Sequence, residues 1–219
     1  MNCNGMHVRL APVLLPPMCL ACLVIPSSAV QLDFEDLTGM NYWAGNSIPV
    51  ESRLADTYLL AHGVRFRSGS PFVAVVELGA EHATSGVNGV GGSTPDGVLT
   101  YSSAWPVVVE FYVPGAPSTI AVTDSVSWLG DLQGSPEQIV TLNAYDHTWS
   151  LIGSVSVADV GGALLEIVAP GIHAVEFLGP PDGTNGGVAL DDLAFAALRE
   201  PICPVESSSW GRIKSLFCQ

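Results

Sequence analysis

From about residue 30 to residue 196 the chain is a succession of short β-branched and aromatic runs, each closed by Gly, Pro, Asn or Asp. Helical periodicity is hard to find before residue 200. Punctuated runs of this kind specify a sandwich or barrel of short strands. Strands are predicted near 31–37, 58–67, 71–78, 97–102, 106–113, 119–129, 137–145, 149–157, 163–169, 172–178 and 187–196. In Val107-Val108-Val109-Glu110-Phe111-Tyr112-Val113, the residues Val107, Val109, Phe111 and Val113 share one face and should point to the core. Val140, Leu142 and Ala144 alternate with Thr141 and Asn143, and Val175 and Phe177 with Ala174, Glu176 and Leu178. One drier face per strand favours antiparallel sheets. The fold class is therefore all-β, an antiparallel β-sandwich, with Trp128 assigned to its core.

Two runs with the same make-up stand at the ends of this region. Leu32-Asp33-Phe34-Glu35-Asp36-Leu37 and Val188-Ala189-Leu190-Asp191-Asp192-Leu193-Ala194-Phe195 both set carboxylates inside apolar strand formers. They are expected to lie side by side, as first and last strand.

Residues 1–29 hold His7 and Arg9 as their only basic groups and no acid, then apolar runs, Pro26, and the small residues Ser27 and Ala29. This reads as a secretory signal peptide cleaved after Ala29. Prolines 12, 16, 17 and 26 leave no uninterrupted membrane span. Of five cysteines, Cys203 and Cys218 remain after cleavage, and an oxidising compartment would let them pair. The remaining residues form one β-sandwich domain, 30–198, followed by a linker and short tail, 199–219. Within the tail, Trp210, Ile213 and Phe217 fall at helical spacing; that segment either docks on the sandwich or serves as a recognition tag.

Acids outnumber bases by 21 to 7. A chain of this charge repels nucleic acid and anionic membranes. Residues 38–57 and the Gly-rich 79–97 show no periodicity and are expected as long surface connections.

The ordered set Asp33-Phe34-Glu35-Asp36-Leu37, Gly63-Val64-Arg65-Phe66, a Gly/Ser/Pro-rich loop, Leu142-Asn143-Ala144-Tyr145-Asp146, Ile152-Gly153-Ser154, Val175-Glu176-Phe177 and Leu190-Asp191-Asp192-Leu193-Ala194-Phe195 resembles bacterial exported proteins of the PEP-CTERM type. The likeness spans most of residues 31–197. It implies a jelly-roll sandwich similar to carbohydrate-binding modules and galactose-binding-like domains. Glu200-Pro201 is present, but the sorting tail of that type is not. In the hairpin after Tyr145-Asp146, where such proteins have Gly, this chain has Trp149, which either exposes an indole at the loop tip or shifts the turn.

The resemblance also implies a structural Ca²⁺ bridging the first and last strands, held by Glu35 and Asp191; Asp33, Asp36 and Asp192 are of second rank, alternation setting Asp33 and Glu35 on one face and Asp36 on the other. The competing reading is that these acids face solvent or accept hydrogen bonds from loop amides. For ligand binding, Tyr42, Trp43, Trp105 and Trp149 are the candidate aromatics that would stack on sugar rings, against the alternative that they pack within the fold. No motif carries catalysis: Gly-x-Ser-x-Gly is absent, Gly92 stands where a phosphate loop needs Lys, and the histidines lack zinc spacing. The sequence thus predicts a secreted, non-enzymatic protein at the bacterial envelope or outside it, binding a polysaccharide, cell-surface glycan or matrix. A structural surface protein without a small ligand, or a weak glycan hydrolase, are the alternatives.

Overall fold

The computed structural model describes residues 29–68, 72–130, 138–158, 162–180 and 189–202. The body of the expected leader, the tail from Cys203 and Cys218 itself lie outside the described residues. Fifteen strands are present among the described residues: β1 (Val30–Leu32), β2 (Met40–Asn41), β3 (Arg53–Leu54), β4 (Val64–Ser68), β5 (Val73–Glu77), β6 (Asn88–Ser93), β7 (Leu99–Thr100), β8 (Val107–Val113), β9 (Ala116–Ile120), β10 (Thr123–Gly130), β11 (Ile139–Tyr145), β12 (Leu151–Ala158), β13 (Leu164–Ile172), β14 (Ala174–Leu178) and β15 (Leu190–Phe195). They form two sheets. One follows the path β13-β10-β15-β6-β5-β2, with β1, β3 and β7 attached; the other follows β12-β11-β14-β8-β4, with β9 on β8. This is the antiparallel all-β sandwich that the alternation predicts. Its pairs are antiparallel except β2 with β5.

The ends of the domain meet as expected. β1 pairs antiparallel with β15, Val30 opposite Phe195 and Leu32 opposite Leu193. The first strand is shorter than its sequence suggests, because Asp33 accepts the Glu35 N–H and Phe34 adopts φ 62°. That turn drops the Phe34 ring into the core, edge-on to Tyr58 and Phe66. A second correction falls at 58–67, where Leu59–His62 forms a single helical turn, α1, stopped by Gly63 at φ 71° before β4 begins. The single strand expected at 119–129 is two strands. β9 pairs with β8 in one sheet, and beyond Ala121 the chain crosses to pair β10 with β13 and β15 in the other.

The largest correction is β6. The Gly-rich stretch expected as surface loop contains a fully buried strand between β5 and β15. Its glycines are there for space: a Cβ on Gly89 would stand 2.9 Å from the Leu190 carbonyl oxygen, and one on Gly92 2.8 Å from that of Trp105. The 38–57 stretch likewise carries β2, β3 and a 3-10 turn.

Between the sheets lies the main core, in which Trp128, Phe66, Phe111, Phe195, Leu142 and Leu165 are buried together. Trp128 is fully buried as expected, and its indole N–H has no partner among the described residues. A smaller core of Met40, Ile48, Ala74, Val76, Leu78, Leu99 and Tyr101 holds the 38–57 stretch in place. Among the described residues, no helix is long and apolar enough to cross a membrane.

Candidate functional site

With alternate residues of β4, β8, β11 and β14 committed to the core, the others make the outer face of the second sheet. The register sets them in rows. One row runs Ser154, Asn143, Glu176, Val108, Arg67; the next runs Leu151, Tyr145, Ala174, Glu110, Arg65. At about 4.8 Å between strands, each row crosses roughly 19 Å of sheet. Val108 in the first row and the buried Ala174 in the second are short side chains that leave a low floor among taller neighbours. Polar groups rise on both sides.

These groups are locked to one another. The Tyr145 hydroxyl donates to Glu176 Oε2 at 2.7 Å, Asn143 Nδ2 donates to the same oxygen at 3.3 Å, and Ser154 Oγ donates to Asn143 Oδ1 at 2.8 Å. Across the floor, Glu110 Oε2 accepts the Tyr112 hydroxyl at 2.7 Å and pairs with Arg67 Nε at 3.1 Å. Arg65 lies over the Tyr112 ring and pairs with Asp56. Burial, and then the hydrogen bond and charge of Glu176, push the Tyr145 phenol up to about 12. Tyr112 is raised by the same two causes, with Glu110 as its acceptor. Both phenols therefore stay protonated donors that fix carboxylates in place, and Glu176 meets no base in an ion pair among the described residues.

Trp149 closes one end of this face. The β11–β12 hairpin is tied by Asp146 Oδ1, which accepts from Thr148 N, Thr148 Oγ1 and Ser150 N. Those bonds hold the Asp146 carboxyl below its ordinary value, that of the Thr148 side chain foremost. The turn presents Trp149 half exposed beside Tyr145 and His173, at ring-centroid distances of 5.8 and 6.2 Å. Its backbone sits at φ 63°, a region where a residue with a Cβ is strained by about 1–2 kcal/mol and glycine is not. Of the two outcomes open at this hairpin, the indole is exposed at the tip.

The four candidate aromatics do not share one surface. Tyr42 and Trp43 stack on each other at 4.7 Å beyond β2, at the far edge of the first sheet, with His82 5.6 Å from Tyr42. Trp105 is half-buried and lines a narrow cleft with Tyr101, Phe177 and Gly179. Only Trp149 adjoins the outer-face rows. Tyr145, Glu176, Asn143, Tyr112, Glu110, Arg65 and Arg67 were outside the candidate set, although the alternation already placed Glu110, Tyr112, Asn143 and Glu176 away from the core.

Glu35 and Asp191 converge, but on a loop. Glu35 Oε1 accepts the N–H groups of Val87 and Asn88 at 2.8 and 2.7 Å. Asp191 Oδ2 accepts Thr84 N, Thr84 Oγ1 and Ser85 N, all at 2.8 Å, and its Oδ1 accepts Asp192 N at 2.7 Å. Gln31 on β1 donates to Asp192. Burial pushes the Asp191 carboxyl up, while the Ser85 and Thr84 donors pull it down. Calcium needs six to eight oxygens with lone pairs turned toward it. The oxygens of Asp191 point theirs at N–H and O–H donors instead, and Asp33 Oδ1 caps its own turn. Among the described residues no group of three or more His, Cys, Asp or Glu is gathered to hold a metal ion. The donors present do not fit a calcium ligand set.

No protein-family model matches the chain, and no curated protein matches it either. Among solved structures it is similar to the CBM22-1 xylan-binding domain of Paenibacillus barcinonensis Xyn10C, at 13% identity and TM-score 0.39, over 80% of this chain and 97% of that one. It is also similar to TmCBM61 in complex with β-1,4-galactotriose, at 14% identity and TM-score 0.33, over 71% and 99%. A third is a DUF4465 family protein from Bacteroides caccae, at 13% identity and TM-score 0.37, over 84% and 97%. Likeness at this level transfers neither a residue nor a ligand.

Proposed function

We propose that the chain is an exported, non-catalytic binding protein whose outer second-sheet face takes a neutral polysaccharide or matrix glycan. The observation that carries this reading is Trp149. An indole half in water sits here on a backbone that a glycine would occupy without strain, with two ring contacts to set against that strain. Strain of this kind is retained where a side chain is used. Beside it, Tyr145 adds a second ring, and fixed acceptors and donors stand where ring hydroxyls would meet them: Glu176, Asn143 and the half-exposed Arg67. Apolar ring faces on aromatics, with hydroxyls on a few placed polar groups, is how saccharides are held. A formal charge of −14 opposes polyuronates and other polyanions. The export reading and the PEP-CTERM-type resemblance rest on the sequence and accompany this proposal.

A second reading has one observation in its favour. Glu110 and Glu176 are diagonal neighbours on one face, which places them roughly 7–8 Å apart, their Cβ atoms somewhat closer. A pair of facing carboxylates is what a glycoside hydrolase requires.

Tryptophan fluorescence and affinity electrophoresis against xylan, β-1,4-galactotriose, mixed-linked β-1,3-1,4-glucan and a polyuronate separate these readings. Retardation by a neutral glycan, lost in Trp149→Ala and Glu176→Gln, supports binding. Release of reducing ends, abolished by either Glu→Gln variant, would move the protein to the hydrolases. No response from any of the four would leave a structural surface role.

A further inference from the structure

We infer that Trp43 is a second saccharide platform, so that one molecule bridges two glycan chains; this rests on the binding reading above. Among the described residues Trp43 and Trp149 are the exposed tryptophans, and Trp43 is the more open at 62%. Its exposure is built rather than loose. The Trp43 N–H donates to Asn41 Oδ1, its carbonyl accepts from Asn46 Nδ2, and the Tyr101 hydroxyl donates to the adjoining Tyr42 carbonyl at 2.7 Å. Gly45 N donates to the Leu99 carbonyl, and Leu99 N to that of Asn46, so the turn is laced to β7. One indole face is backed by Tyr42, whose own ring packs on the smaller core. The other face is held toward water by a rigid mount.

The surroundings select the occupant. Asn41, Asn46, Glu77 and Glu81 are exposed around this edge, so the apolar surface is a single ring with a polar rim. A protein partner needs about 800 Å² on each side, far more than one indole supplies. One sugar ring needs an apolar disc and nearby hydroxyl partners, which is what this edge offers.

Position supplies the consequence. Trp43 follows β2, the last strand on one path through the first sheet, whose other end is β13. Trp149 sits in the hairpin of β12, the strand that ends the second sheet and packs beside β13. The two indoles thus occupy opposite edges of the sandwich. Two platforms at opposite edges engage separate chains, and their linkage gives avidity and cross-linking without any new contact.

Calorimetry on the full chain, titrated with xylohexaose, β-1,4-galactotriose and mixed-linked tetrasaccharide, tests this together with turbidity of xylan and mixed-linked glucan. Two sites per molecule are expected for the oligosaccharide that binds. Trp43→Ala should weaken one of them about tenfold, leave the Trp149 site intact and abolish glycan cross-linking. Trp43→Phe, which keeps an aromatic disc, should restore most of it and excludes a folding artefact. One site, lost in Trp149→Ala and indifferent to Trp43→Ala, would overturn the second platform while leaving the binding function standing. No binding of any probe would remove both.

Discussion

Tyr145 and Glu176 are diagonal neighbours across the β11–β14 ladder, Glu176 standing opposite Asn143 and Tyr145 opposite Ala174, and the phenol donates to the carboxylate at 2.7 Å. Each fixes the other: the carboxylate keeps the phenol protonated, and the phenol, with Asn143, holds the carboxylate toward β11. In Glu176→Gln the Tyr145 phenol should titrate below its present value of about 12 yet above the ordinary 10, because burial is the larger cause and remains. The raised value favours the folded state fully below pH 10, and that contribution is lost as pH rises through about 12. NMR of labelled tyrosine follows the shift directly. Binding of neutral glycan by Glu176→Gln should fall about tenfold, as a charge-assisted acceptor becomes a neutral one. An unmoved Tyr145 would mean the hydrogen bond does not persist in solution.

Trp149→Gly separates folding from function at a single position. The φ of 63° suits glycine, so the replacement should leave the melting temperature unchanged or raise it, with relief of up to about 1–2 kcal/mol offset by two lost ring contacts. Glycan affinity should drop in the same protein. A marked loss of stability would show the indole to be a packing residue, and the site would lose its chief support.

The acidic clasp makes a prediction about metal. Residues 84–88 are tied to the turn after β1 through Glu35 and to the last strand through Asp191 and Asp192, by bonds to protein donors. Asp191→Ala would leave the Thr84, Ser85 and Asp192 amides unpaired at a buried site and should cost at least about 2 kcal/mol. Melting in EDTA should match melting in calcium-containing buffer. A drop of several degrees with chelator, reversed by added Ca²⁺, would establish calcium at these strands.

Much of the architecture was legible because alternation is a physical signal. Val107, Val109 and Phe111, or Val140, Leu142 and Ala144, can satisfy a two-layer fold only by facing inward, and they are buried. The pairing of the chain ends was legible in part: the matching composition of 32–37 and 188–195 set them side by side, but the ladder runs from Val30 to Leu32 and 33–37 turns away. The outer-face rows were half legible: Glu110 and Glu176 were assignable to the far side of their strands, but nothing local says that β8, β14 and β11 are neighbours. Register is a long-range property. Phe34 misled because a hydrophobic residue in an apolar run reads as strand, whereas here an Asx turn sends its ring inward at positive φ. β6 misled for the opposite reason, since Gly89, Gly91 and Gly92 carry no side chain from which a period could be read.

That last strand gives the sharpest check on the fold itself. If Gly89 is a loop residue, Gly89→Ala is nearly silent. If it lies in β6 between β5 and β15, the new methyl meets the Leu190 carbonyl oxygen at 2.9 Å and the Leu78 side chain at 2.5 Å. Leu78 can turn aside, but the carbonyl belongs to a paired strand and cannot retreat without opening the ladder beside Asp191. The expected cost is about 1–3 kcal/mol, a melting decrease of several degrees in a domain of this size. Gly115 provides the comparison: it has positive φ with no atom within 4 Å of an added Cβ, so Gly115→Asn should cost less than about 1 kcal/mol. Equal melting of Gly89→Ala and wild type, measured beside Gly115→Asn, would place residues 88–93 outside the sheet and separate the clasp from the strand it is built on.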